Sequence, residues 1–147
     1  MRVLRKFTCL PPADQRLLVT AALVLGLVGA ALRLVSFKKL LYLTEEFSHT
    51  TSRRQNPLPP SSERITWAIA AVSRRIPLLS RCLTQAVAAK ILLARCGHPA
   101  LMKIGVSRNE NGLLEAHAWV ECQGVVVMGA PAVDHFIPLS SIDRGNR

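Results

Sequence analysis

Residues Arg81 to Ser107 read RCLTQAVAAKILLARCGHPALMKIGVS, and the stretch changes character halfway. From Cys82 to Arg95 the apolar residues Ala86, Ala89 and Leu93, joined by Val87 and Ile91, recur at helical spacing, and Gly97 and Pro99 are residues that end a helix. Beyond Pro99 the runs are short and β-like: Leu101 to Ser107, Leu114 to Cys122 and Val125 to Met128. Asn109-Glu110-Asn111-Gly112 and Gln123-Gly124 are the turns between them, which predicts an antiparallel meander. Toward the N-terminus the pattern is helical. Ser61 or Ser62 can cap a helix beginning near Glu63, with Ile65, Ala68, Ile69 and Val72 on one face and Pro77 as its stop. Ser80 offers the cap for the helix that starts at Cys82, and an earlier helix is expected from about Asp14 to Ser36. Helices first and strands afterward predict an α+β fold, not alternating βα units.

The segment from Thr50 to Pro60 is polar, Pro-rich and aperiodic, so the boundary is placed there. Residues 1–60 form an apolar helical extension and linker, and residues 61–147 the catalytic-sized domain. A chain of 147 residues is long enough for one real core and too short for two independent ones. With half the residues apolar and few aromatics, that core is built from aliphatic side chains, and the composition is not that of a disordered chain.

Nineteen Lys and Arg against nine Asp and Glu give a net charge of +10, which favours an acidic or anionic partner. The basic residues are scattered, without the aromatic interleaving or Gly-rich pattern of nucleic-acid modules, so no nucleic-acid partner is expected. Cys9, Cys82, Cys96 and Cys122 show no metal-ligand spacing and follow no secretory leader, which points to free thiols in a reducing, cytoplasmic setting. Residues 17–32 run sixteen positions without a charge between Arg16 and Arg33. As a helix they span about 24 Å, short of the ~30 Å hydrocarbon core, which favours a helix packed on the catalytic core over a membrane span. Contact of residues 17–32 with a membrane surface is the alternative.

Two residues carry the chemistry. Cys82 falls in the first turn of a helix, where backbone amides and the positive end of the dipole stabilise a thiolate, and Arg81 adds a positive charge beside it. His117 lies in the strand Glu115-Ala116-His117-Ala118-Trp119-Val120-Glu121, on the face it shares with Trp119, a face that can meet the N-terminus of the Cys82 helix. A thiol and an imidazole in contact make a cysteine nucleophile with its general base and acid. The other candidates read as structural. Cys96 sits at a helix C-terminus, where the dipole opposes a thiolate. Cys122 alternates with Ala118 and Val120 toward the core, His98 belongs to the helix stop and His135 to a loop or edge. No His, Cys or carboxylate repeats at ligand spacing, so no metal site is expected.

The run Arg81-Cys82-Leu83 with Ala86 and Ala88-Ala89, then Gly97-His98-Pro99-Ala100, Gly105-Val106 and Ala116-His117-Ala118-Trp119-Val120-Glu121 with Gly124, resembles the transglutaminase-like leader peptidases of lasso-peptide biosynthesis. The resemblance covers roughly residues 64–139. It implies a papain-like or transglutaminase-like α+β core, in which the helix bearing the Cys packs on an antiparallel sheet. The implied activity is that of a cysteine peptidase removing the leader from a ribosomally made precursor peptide. It implies as partners that precursor, a small leader-recognition protein and an ATP-dependent macrocyclase, with no cofactor. Cys82 is then the nucleophile, its backbone N–H an oxyanion donor, and His117 the base. The family's third catalytic residue is acidic and follows the next strand, where this chain reads Val127-Met128-Gly129-Ala130-Pro131. Asp134 is the nearest later carboxylate and is taken as the third member. Glu121, four residues along the strand, is about 13 Å from His117 and too far. Two rival readings stand beside the peptidase: acyl transfer to an amine, as transglutaminases perform, and a catalytically degenerate scaffold of the same pathway.

Overall fold

The computed structural model describes residues 8–36, 39, 59–77, 81–129 and 135–139. Three helices precede four strands: α1 Pro12–Leu34, α2 Ser62–Ser73, α3 Cys82–Arg95, then β1 Ala100–Arg108, β2 Leu114–Cys122, β3 Val125–Met128 and β4 Ile137–Leu139. The order is that of an α+β fold, with the helix that begins at Cys82 packed on an antiparallel sheet.

Each helix starts and stops for local reasons. Pro12 occupies the first position of α1, where a missing N–H costs nothing, and Asp14 and Arg33 complement its dipole. Ser61 caps α2, its side chain accepting from the Arg64 amide. At the end of α3, Gly97 adopts φ +80°; the His98 amide donates to the Leu93 carbonyl at 2.9 Å and the Gly97 amide to Ala94 at 3.0 Å. That pair of bonds is a Schellman cap, which needs a left-handed residue where Gly97 stands. The His98 ring adds a contact of 2.8 Å between Nε2 and the Pro60 carbonyl, tying the helix stop to the segment entering α2.

One stripe of α1, Ala21, Leu25 and Val28, is buried against α2 and α3, as the spacing i, i+4, i+7 requires. An ion pair between Asp14 and Arg64 fastens the start of α1 to α2. The opposite stripe, with Val19, Leu23, Leu27 and Leu34, is exposed. The helix is long and apolar enough to cross a membrane, yet it also contributes two fully buried residues, Ala21 and Leu25, to the core.

The sheet order is β3-β2-β1-β4, every pairing antiparallel. The meander of β1 to β3 is the one expected. The strand β4 was not anticipated: three residues with a central proline show no alternation to read. Ile137 and Leu139 stand opposite Val106 and Ile104, and Pro138 is tolerated because β4 is an edge.

Alternation divides β2 between two environments. Ala118 and Val120 join Met102, Met128 and the buried faces of the helices in one cluster, with Cys122 buried beside them. His117, Trp119 and Glu121 project from the other face, where Lys103 and Phe136 lie. Trp119 is 2% exposed there because Gly105 on β1 leaves it room: a Cβ at Gly105 would stand 2.9 Å from both the Trp119 ring and the Phe136 Cβ.

Candidate active site

Cys82 is the first residue of α3 and is half-buried, with exposed Arg81 at the N-cap position in extended conformation. Arg81 makes no side-chain cap bond, and its guanidinium, a donor only, could not accept one from the first-turn amides. Arg81 therefore stands at the N-cap position expected of Ser80, which itself lies outside the described residues.

His117 is held from three sides. Its Nε2 lies 2.7 Å from the carbonyl oxygen of Gly129, the residue that follows β3. Its ring stacks toward Trp119 with centroids 6.4 Å apart and an interplanar angle of 19°, and meets Phe136 at 5.1 Å and 31°. Trp119 is itself anchored, its indole N–H donating to Glu121 Oε1 at 3.0 Å while Lys103 Nζ meets Glu121 Oε2 at 2.8 Å. The Lys103 hydrogen bond and then the Trp119 N–H hold the Glu121 carboxyl below the usual carboxylate range.

The expected meeting of the His117 face with the Cys82 helix is not what the strand provides. The small apolar residues Ala118 and Val120 take the helix-packed side, because a helix approaches a sheet most closely over such side chains, and His117 alternates to the other. No hydrogen bond joins Cys82 and His117 among the described residues. Chain lengths alone would allow the two to lie at one end of the sheet. The Gly97-His98-Pro99 link returns the chain along α3, whose fourteen residues rise about 21 Å. The strand β1 covers that length by about Val106, at ~3.3 Å per residue, and the β2 partner of Val106 is Ala116, next to His117.

The remaining sequence candidates separate cleanly. Burial pushes the Cys96 thiol up against the opposing effect of Arg95, which makes it a poor nucleophile, as its place at the helix end suggested. Cys122 is buried, Cys9 exposed and His135 exposed. Asp134 lies outside the described residues. Among the described residues no three of His, Cys, Asp and Glu gather as metal ligands. Gly129 is the contact that sequence reasoning missed. A backbone carbonyl has no residue-type signature, and the only hint was a glycine standing where the resemblance puts an acid.

Three helices followed by a four-stranded antiparallel sheet, with a cysteine opening the third helix and a histidine on the second strand, define an α+β protein. A family model, the transglutaminase-like superfamily, matches residues 23–141, and the chain belongs to that superfamily, which includes cysteine peptidases and transglutaminases. No curated protein and no solved structure matches the chain.

Proposed function

We propose that the protein is a cysteine peptidase that removes the leader from a ribosomally synthesised lasso-peptide precursor, with Cys82 as nucleophile and His117 as general base and acid. What supports the reading is the His117 imidazole, bonded at Nε2 and flanked by two aromatic rings, in a chain of the transglutaminase-like superfamily whose third helix opens on Cys82.

In the first half-reaction His117 takes the Cys82 proton, the sulfur attacks the scissile carbonyl, and the oxyanion is met by first-turn amides, the Cys82 N–H among them. Collapse breaks the C–N bond, the imidazolium gives its proton to the leaving amine, and a thioester remains. Water then attacks, His117 accepts its proton, and the carboxylate departs as the thiol is restored. The exposed arginines Arg81 and Arg108 and the net +10 charge suit an acidic leader or an acidic recognition protein. A small leader-recognition protein and an ATP-dependent macrocyclase belong to this reading as partners.

The test is cleavage of precursor in the presence of the recognition protein, followed by mass spectrometry. Cys82→Ala and His117→Ala are each expected to lower the rate by ~10⁴-fold or more, as loss of a nucleophile or its base does; unchanged cleavage by Cys82→Ala ends the proposal. Products carrying an added amine instead of a free acid would select acyl transfer. Normal pathway output from the Cys82/His117 double variant would select the scaffold.

A further inference from the structure

A base in a Cys–His pair needs one ring nitrogen free to accept a proton and the other held, so that tautomer and orientation are set before substrate arrives. In this chain the held nitrogen is Nε2, and its partner is the main-chain oxygen of Gly129 at 2.7 Å. A carbonyl oxygen can only accept, so the contact puts the neutral ring's proton on Nε2 and the lone pair on Nδ1.

The local backbone is shaped for that contact. Gly129 adopts φ +94°, a conformation that L side chains rarely enter. A Cβ there would stand 2.7 Å from the Trp119 Cβ and 2.9 Å from both the Ala118 oxygen and the Trp119 Cα. Any side chain at 129, a carboxylate included, would have to push the backbone off β2 and carry the carbonyl away from the ring. The position delivers a main-chain oxygen because it cannot hold a side chain. Phe136 and Trp119 close on the ring from its sides and leave the Nε2–Gly129 axis as the fixed direction.

We propose that Gly129 is the positioning residue of the site: its carbonyl accepts from Nε2–H of His117, fixes the ring in that tautomer and leaves Nδ1 to take the thiol proton of Cys82. The proposal rests on the peptidase reading for the thiol's part, while the tautomer stands independently of it. A neutral carbonyl takes the role expected of Asp134, so His117 has its orienting partner without a carboxylate.

The experiment is nitrogen NMR on full-length protein labelled at histidine, with the His117 signals assigned by their loss in His117→Gln. In the neutral form of the ring, wild type and Cys82→Ala are both expected to carry the proton on Nε2. Asp134→Asn is expected to leave that tautomer unchanged. Gly129→Ala is expected to give mixed tautomers and a loss of ~10–100-fold in kcat/KM, the usual effect of removing an orienting contact. The Nδ1–H tautomer in wild type overturns the proposal even if Gly129→Ala does not fold. So does a fall of ~10³-fold or more in Asp134→Asn with a displaced pH limb, the behaviour of a true orienting carboxylate. Failure of the peptidase reading is seen separately, as cleavage that survives Cys82→Ala while the tautomer remains Nε2–H.

Discussion

At the scale of single residues, the outer face of β2 works as a relay of supports. Lys103 holds Glu121, Glu121 holds the Trp119 indole, and Trp119 flanks His117. The Glu121 carboxyl is held below its ordinary range, so the folded state binds that proton less tightly than the unfolded chain does. Its contribution is full above the unfolded carboxylate pKa and is lost as pH falls through the lower folded value. Wild type is therefore expected to lose stability on the acid side that Glu121→Gln does not lose. The difference should be on the order of 0.5 kcal/mol, since an accessible pair is screened by water. Urea titrations at pH 7 and pH 3 measure it, and equal acid sensitivity in the two proteins would remove Glu121 from the relay. These supports were invisible to sequence reading, which placed Glu121 on the correct strand but had no means of pairing it with Lys103 on the neighbouring strand β1.

At the scale of elements, the helices were legible because capping chemistry and apolar spacing agree. Ser61 was one of two candidate caps for α2, and the structure selects it through the bond it accepts from the Arg64 amide at 3.4 Å. Ser61→Ala is expected to cost about 1 kcal/mol, the usual loss for an N-cap, while Ser62→Ala should leave thermal unfolding nearly unchanged. Equal losses from the two would refute the assignment. The meander β1–β2–β3 was legible for a similar reason, its turns being marked by Asn109, Gly112 and Gly124. The short strand β4 was not, because it exists through pairing with the free edge of β1 and not through any periodicity of its own.

At the scale of the whole molecule, α1 ties the N-terminal third to the rest. Ala21, Leu25 and Val28 share one core cluster with Ile65 and Ile69 of α2 and Val87 and Leu93 of α3. Removing residues 1–60 would uncover that apolar surface, so residues 61–147 alone are expected to lack a cooperative unfolding transition and to aggregate. A truncated protein with wild-type melting behaviour would show α1 to be a separable extension. The exposed stripe of Leu23, Leu27 and Leu34 remains on the far side of the same helix, which is why a hydropathy count alone reads α1 both as a span and as a core helix.

The sequence by itself determined the α+β order, the helix that begins at Cys82, the three-stranded meander and the chain order of thiol and imidazole. All of these are written in spacing, caps and turn residues that act over a few positions. Only the tertiary structure decided which face of β2 the helices cover, that β4 closes the edge of β1, and that His117 is met by the carbonyl of Gly129. Those depend on close approach between distant segments, and a main-chain oxygen carries no mark in the sequence of where it will point.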